Sequence, residues 1–215
     1  GALQLLDRDV ITERHVRAVW ASLGGTWRKP PGGVREGTAP TGATSVAVHV
    51  ARPWGEVLRP MNKQSDNALS RLLFLQLGLA AMAQNANTPT LELARREVER
   101  WFDEQRIDRS GLVLDNGSGL SRSERITPRT MALMLKAAHA SRQAPELLMS
   151  LPVAGVDGTM RRRLTGTAAQ GWARLKTGTL KNVTALAGFV RDTRGDTWAV
   201  VAMVKHFFDT NKPVA

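Results

Sequence analysis

The first residues whose types and spacing could do chemistry are Ser65, Asp66 and Asn67, within the segment MNKQSDNALSRLL. A hydroxyl at the start of a helix, followed closely by an amide, could bind a substrate peptide and move a proton. Ser, Asp and Asn are also the residues preferred at helix N-caps, and this motif precedes a leucine-rich run. Taken alone, the segment is more typical of a helix cap, and we interpret Asp66 as a capping or surface residue.

A second motif, Lys176-Thr177-Gly178-Thr179, follows about a hundred residues later. A lysine on a strand beside a cleft provides a fixed positive charge, threonine hydroxyls can bind a carboxylate, and glycine allows a substrate backbone to approach closely. The same residues would also suit an edge strand whose charge discourages aggregation. Each motif by itself is therefore only suggestive.

Hydrophobic spacing predicts the elements that must position these motifs. Helices are expected over Thr12 to Leu23, Trp54 to Arg59, Ser65 to Gly78, Thr90 to Gln105, Thr127 to Ala140 and Glu146 to Ser150. Strands are expected over Val46 to Val50, Trp172 to Lys176, Asn182 to Asp192 and Thr197 to His206. The last three strands would form an antiparallel meander, so the sequence predicts a mixed α/β (α+β) fold with a helical cluster packed on a sheet.

Four blocks in a fixed order carry a family resemblance. MNKQSDN, LVLDNGSGLSRSERITP, LPVAGVDGTMRRRL and ARLKTGTLKNVTALAGFV resemble the penicillin-binding proteins that act as D-alanyl-D-alanine carboxypeptidases and endopeptidases. S-D-N and K-T-G are two of the three motifs of such enzymes. The resemblance, from about Val46 to His206, implies a penicillin-binding and β-lactamase-like transpeptidase domain. It also implies peptidoglycan stem peptides ending in D-Ala-D-Ala and β-lactams as partners and the periplasm as location. No cofactor is expected, and the scattered histidines, with no H-E-x-x-H motif, give little support to metal catalysis.

The resemblance also assigns roles to residues. Ser65 resembles the hydroxyl that relays a proton toward the leaving amine, and Asn67 the amide that holds the substrate peptide and the nearby lysine. Lys176 resembles the lysine that supplies positive potential and recognises the terminal carboxylate.

The rest of the second motif is assigned to substrate binding. Thr177 and Thr179 would bind the carboxylate beside Gly178, and the backbone N–H of Thr179 matches a donor of the oxyanion hole. The turn from Asp115 to Gly119 is similar to a glycine-rich turn of the family, and we expect it to act as scaffold near the site.

The third family motif, S-x-x-K, is absent from the sequence. No serine from Ser22 to Ser150 has a lysine three positions later, and no lysine or histidine is placed by the sequence to activate Ser65. We therefore expect an incomplete catalytic domain, inactive alone, from a longer protein. Residues 1–44 would be the tail of an inserted domain and its Pro/Gly-rich return loop, and residues 45–215 the C-terminal part of the peptidase domain.

Composition leaves two rivals open. The chain has 215 residues, with 30 Lys and Arg against 19 Asp and Glu, and its net charge of +11 could attract nucleic acid. The basic residues are scattered, and no nucleic-acid-binding motif is present, so a solvated basic face is favoured over a nucleic-acid partner. A non-catalytic peptidoglycan-binding module is harder to exclude, because Asn67 and Lys176 could still contact a peptide.

Overall fold

The computed structural model describes residues 8–27, 37–38, 40–45, 48, 50–82 and 87–205. It divides the chain into two compact units, Gly1–Val50 and Ala51–Ala215. In the first unit, helix α1 covers Arg8–Ser22. The predicted boundary between residues 44 and 45 stays a prediction.

The predicted strand from Val46 to Val50 is not formed where the structure describes it. Val46 lies outside the described residues, and the described Val48 and Val50 belong to no strand. Both side chains are exposed, with relative accessibilities of 78% and 85%. Alternation alone does not make a strand, because a strand also needs a hydrogen-bonding partner.

The second unit combines five α-helices with a three-stranded sheet, among the residues that the structure describes. The helices are α2 (Trp54–Gln64), α3 (Asn67–Ala81), α4 (Thr90–Glu104), α5 (Pro128–His139) and α6 (Ala144–Ser150). The strands are β1 (Arg174–Leu180), β2 (Val183–Arg191) and β3 (Thr197–Lys205), antiparallel in the order β1-β2-β3. The predicted mixed fold and meander are confirmed, while His206 lies outside the described residues.

The first strand is displaced from its predicted position. It was expected to end at Lys176, but β1 continues to Leu180, so the Lys-Thr-Gly-Thr motif lies inside the strand. Pairing of Leu180 with Val183 leaves a two-residue hairpin whose second residue, Asn182, has φ of 68°. Asparagine tolerates that left-handed conformation, which lets the hairpin form beyond the motif.

Both sides of the sheet contribute to the core of this unit. Leu135 and Leu151 pack against Phe189 of β2, with Ala199 and Val201 of β3 beside them. On the opposite face of the sheet, Leu175 of β1 packs with Ala154, Met160 and Ala173. Strand β1 is thereby fixed at one edge of the sheet, where its motif can face a cleft.

Helices α3 and α4 cross at close range through a glycine. A Cβ at Gly78 would lie 2.0 Å from the Thr90 carbonyl oxygen and 2.8 Å from the Ala94 amide nitrogen. A side chain there would overlap the backbone of α4, so only glycine permits this crossing. The contact anchors α3, whose N-terminal end carries the first motif.

Candidate active site

Ser65 and Asp66 form the whole connection between α2 and α3. Helix α2 continues through Pro60 beyond its predicted end at Arg59 and stops at Gln64. The Asp66 carboxylate accepts a hydrogen bond of 2.9 Å from the Leu69 amide, so the predicted capping role of Asp66 is confirmed.

The sequence predicted that Ser65 begins a helix, and this prediction is wrong. Ser65 ends α2 in a left-handed conformation, with φ of 59° and ψ of 50°. With only two residues between the helices, one must end α2 and the other must cap α3. The hydroxyl of Ser65 is therefore free of capping and can face another partner.

That partner is Lys176, 111 residues away in the sequence. The Lys176 amine donates a hydrogen bond of 2.8 Å to the Ser65 hydroxyl and one of 2.7 Å to the Thr177 carbonyl oxygen. The side chain is half-buried, and burial lowers the pKa of Lys176 below its ordinary value. Lys63, two residues before Ser65, is engaged by Leu151 and Asp157 instead, and the fold brings the distant Lys176 into contact with Ser65.

Asn67 ties the start of α3 to the turn from Asp115 to Gly119. Its side-chain amide donates a hydrogen bond of 2.6 Å to the Ser118 carbonyl oxygen, and the Ser70 hydroxyl donates one of 2.7 Å to the Gly117 carbonyl oxygen. Gly117 has φ of +70°, and a Cβ there would lie 2.5 Å from the Phe74 Cβ. The turn therefore forms one wall of the site, in agreement with its expected role as scaffold.

The outer edge of β1 presents two backbone N–H groups. The Leu175 N–H donates a hydrogen bond of 2.8 Å to the Pro152 carbonyl oxygen, on the side of β1 opposite β2. In a β-strand, N–H groups two residues apart point to the same edge. The N–H groups of Thr177 and Thr179 therefore also point away from β2.

These groups converge on one cleft of about 250 Å³. All six residues predicted for the site line it, namely Ser65, Asn67, Lys176, Thr177, Gly178 and Thr179. Met61, Asn62, Asp66, Ser70, Ser118, Gly119 and Leu120 complete the lining. The cleft thus combines a hydroxyl against an amine, an amide and an open strand edge, groups that suit acyl transfer but do not include a nucleophile with its activating base.

The sequence analysis missed two contacts behind the cleft. The Thr177 hydroxyl donates a hydrogen bond of 2.9 Å to the Thr159 hydroxyl. The Lys63 amine donates to the Leu151 carbonyl oxygen at 2.8 Å and to the Asp157 carboxylate at 2.6 Å. The sequence Asp157-Gly158-Thr159 is typical of a turn, but no pattern in the sequence indicated that this turn contacts Lys63 and Thr177.

The Asp157 carboxylate is held in its charged form. Burial alone would raise its pKa, but hydrogen bonds from the Lys63 amine and the Val153 amide outweigh that effect and lower the pKa. The Lys63 side chain is 12% exposed and that of Asp157 is 36% exposed. This ion pair joins the C-terminal end of α2 to the loop that carries Thr159.

The described part of the chain contains no cluster of three or more His, Cys, Asp or Glu residues that could hold a metal ion. A search of the same residues found no helix long and apolar enough to cross a membrane.

Comparison with known families identifies the architecture around this cleft. The model of the D-Ala-D-Ala carboxypeptidase 3 (S13) family matches residues 3–214. The chain belongs to this family. Membership confirms the resemblance that the four sequence blocks carried.

Individual relatives agree with the family match. A D-alanyl-D-alanine carboxypeptidase of Actinomadura is 35% identical over 159 residues, which are 72% of this chain and 29% of that protein. The D-alanyl-D-alanine carboxypeptidase DacB of Haemophilus influenzae is 31% identical over 164 residues, which are 75% of this chain and 34% of that protein. The chain thus spans about a third of the length of these curated relatives.

A solved structure supports the same fold. The crystal structure of penicillin binding protein 4 from Haemophilus influenzae, complexed with a β-lactam, matches with a TM-score of 0.78 and 25% identity. The match covers 100% of this chain and 49% of that one. The mixed fold predicted from the sequence is therefore the fold of a penicillin-binding protein.

Proposed function

We propose that this chain forms part of the catalytic domain of a serine-type D-alanyl-D-alanine carboxypeptidase and endopeptidase that acts on peptidoglycan stem peptides. The observation that carries the proposal is the contact between Lys176 and Ser65 in the cleft that also contains Asn67 and the free edge of β1. The sequence has no S-x-x-K motif, so the acylating serine and its lysine belong to a part of the protein outside these 215 residues.

In the proposed reaction, the acylating serine attacks the carbonyl carbon of the penultimate D-Ala while its own lysine takes the hydroxyl proton. The carbonyl oxygen becomes an oxyanion, and the Thr179 N–H at the outer edge of β1 donates a hydrogen bond to it. Such a donor stabilises charge that develops in the transition state, typically by a factor of about 10² to 10³ in rate.

Collapse of the tetrahedral intermediate breaks the peptide bond and releases the terminal D-Ala or an amine-bearing cross-linked peptide. The departing nitrogen takes a proton from the Ser65 hydroxyl, and Ser65 recovers one from the protonated lysine of the acylating serine. In the second step that lysine takes a proton from water, which attacks the acyl-serine ester, and the same proton passes to the serine oxygen as the shortened peptide leaves. Lys176 keeps its positive charge throughout and holds Ser65 in place.

Substrate binding uses the remaining groups of the cleft. The Asn67 amide nitrogen is engaged by Ser118, which leaves its oxygen to accept a hydrogen bond from a substrate N–H. The Lys176 charge attracts the terminal carboxylate, to which the hydroxyls of Thr177 and Thr179 donate. β-Lactams carry a comparable amide and carboxylate, so the same cleft would bind them, as a homologous protein does in its crystal structure.

The periplasm is the location that this activity requires, because the substrate is part of the cell wall. Fractionation of cells that express the complete gene would test this, with a periplasmic marker and a cytoplasmic marker measured in parallel. Recovery of the protein with the cytoplasmic marker would contradict the proposed location.

The decisive experiment compares two proteins treated with penicillin and analysed by intact-mass spectrometry. We expect one covalent adduct on the product of the complete gene and none on the 215-residue chain. Peptide mapping should place the adduct on a serine of an S-x-x-K motif. An adduct on Ser65 would overturn the assignment, because it would make Ser65, activated by Lys176, the nucleophile.

A non-catalytic peptidoglycan-binding module is the second candidate, because Asn67 and Lys176, which both line the cleft, could contact a stem peptide without any nucleophile. It differs from the main proposal in one outcome. The complete gene product would then bind stem peptides without hydrolysing them and would form no penicillin adduct.

A further inference from the structure

The loop from Val156 to Met160, which ends in the short 3-10 helix Gly158–Met160, lies between the end of α2 and strand β1 and contacts both. Gly158 has φ of +55°, and a Cβ there would lie 2.6 Å from the Lys63 carbonyl oxygen. On the same side, the Lys63 amine donates to the Asp157 carboxylate, whose other oxygen accepts a hydrogen bond of 2.9 Å from the Val153 N–H. The loop is therefore fixed to α2 by an ion pair and by close backbone packing.

Thr159 is the residue that this fixed loop presents to the substrate-binding strand. Its hydroxyl lies 2.9 Å from that of Thr177, and both side chains are half-buried. Each hydroxyl has one proton to donate and can also accept. In the structure, the Thr177 hydroxyl donates its proton to Thr159. If Thr177 donated that proton to an anion instead, its bond to Thr159 could persist only with Thr159 as the donor.

We propose that Thr159 is a positioning residue for the substrate carboxylate, acting through Thr177. This inference rests on the proposed function. When a carboxylate binds, the Thr177 hydroxyl rotates to donate to it, and Thr159 reverses its own hydroxyl to donate to Thr177. The two hydrogen bonds then run in one direction and polarise each other, which strengthens the bond to the anion.

The ion pair between Lys63 and Asp157 gives this relay its geometry. A free threonine side chain has several rotamers, and it contributes to binding only when its hydroxyl already faces its partner. Because the loop is anchored at Asp157 and Gly158, Thr159 is held against β1 before substrate arrives. The C-terminal end of α2 therefore supports two hydroxyls of the site. It carries Ser65 directly, and through Lys63 it holds the loop that contacts Thr177.

The test uses Thr159→Val and Thr159→Ser in the product of the complete gene. Valine keeps the shape of threonine and removes the hydroxyl, whereas serine keeps the hydroxyl. We expect Thr159→Val to raise KM for a peptide ending in D-Ala-D-Ala by about threefold to tenfold, with kcat little changed, since a bond made equally in ground and transition states affects KM alone. Thr159→Ser should restore KM to within about twofold of the original value.

Two further variants keep the result interpretable. Thr165→Val removes an exposed hydroxyl from the loop that follows and should leave KM unchanged. Asp157→Asn breaks the anchoring ion pair and should raise KM, as Thr159→Val does.

An unchanged KM in a folded Thr159→Val protein, or an equal rise in KM in the valine and serine variants, would overturn the inference. If the unaltered protein neither hydrolyses the peptide nor reacts with penicillin, the proposed function itself has failed.

Discussion

Charged side chains are distributed very differently between helix α4 and the cleft beside β1. On α4, Arg100 pairs with Glu97 and Glu104 while its side chain stays 61% exposed. Beside the cleft, Lys63 is only 12% exposed, and Lys176 is half-buried against Ser65. Exposed pairs typically contribute less than about 1 kcal/mol because water screens them and side-chain entropy opposes them. The comparison indicates that burial, more than the number of charges, determines which ones matter for stability and chemistry.

Lys176→Met should have the largest effect and would sharpen this contrast. Methionine keeps most of the side-chain volume but removes the charge and the hydrogen bond to Ser65. In the complete gene product, we expect the second-order rate of penicillin acylation to fall by about 10² to 10³, comparable to the loss of one preorganised donor, because Ser65 and the β-lactam carboxylate both lose their charged partner. Arg100→Met is the matched control on α4 and should acylate at the original rate. Equal rates in both variants would remove the distinction between the two regions.

Lys63→Met tests the same contrast through stability. The substitution leaves the partly buried Asp157 carboxylate without its partner and the Leu151 carbonyl oxygen without a donor. We expect the free energy of unfolding, measured by urea denaturation, to fall by about 2 kcal/mol. Arg100→Met should change it by less than about 0.5 kcal/mol, since the Arg100 side chain is 61% exposed and its ion pairs are screened by water. A comparable loss in both proteins would show that burial does not separate these pairs.

The smallest expected effect is the contribution of Lys176 to the pH dependence of the free energy of unfolding. Burial lowers the pKa of Lys176 in the folded protein below the unfolded value of 10.5, so folding disfavours the protonated lysine. This destabilisation is present at low pH and is relieved as pH rises through the folded pKa toward 10.5. The free energy of unfolding of the original protein, measured relative to Lys176→Met, should therefore increase over that alkaline interval. A flat difference, or a decrease, would contradict the effect of burial on Lys176.

Most of the fold could be predicted from the sequence, because local patterns control its elements. The apolar spacing of α4 and of the α3 leucines marked those helices, and Thr127-Pro128 marked the start of α5, where Thr127 caps the helix. The boundaries of β1 were wrong because Gly178 interrupts the pattern: threonine is favoured in strands, but glycine is not. Gly178 and its two threonine neighbours lie in a strand because β2 pairs with β1 along the whole of β1.

The site was predictable only where a motif carried it. Ser65, Asn67 and Lys176 were found through their motifs, but their contact depends on tertiary structure that joins residues 111 positions apart. Lys63 and Asp157 carry no motif of their own, and their pairing follows from how the loop before β1 packs on α2. Long-range polar contacts of this kind have no periodicity, so hydrophobic patterning cannot reveal them.

The left-handed backbone of Ser65 has a consequence for engineering the protein. For residues other than glycine, that conformation typically costs about 1 kcal/mol or more, and asparagine or glycine is usual at the end of a helix. A sequence chosen for thermal stability alone would therefore replace this serine and remove the hydroxyl beside Lys176. Under the proposed function, position 65 is a place where stability and activity would trade off, and it should be held fixed in any attempt to stabilise this domain.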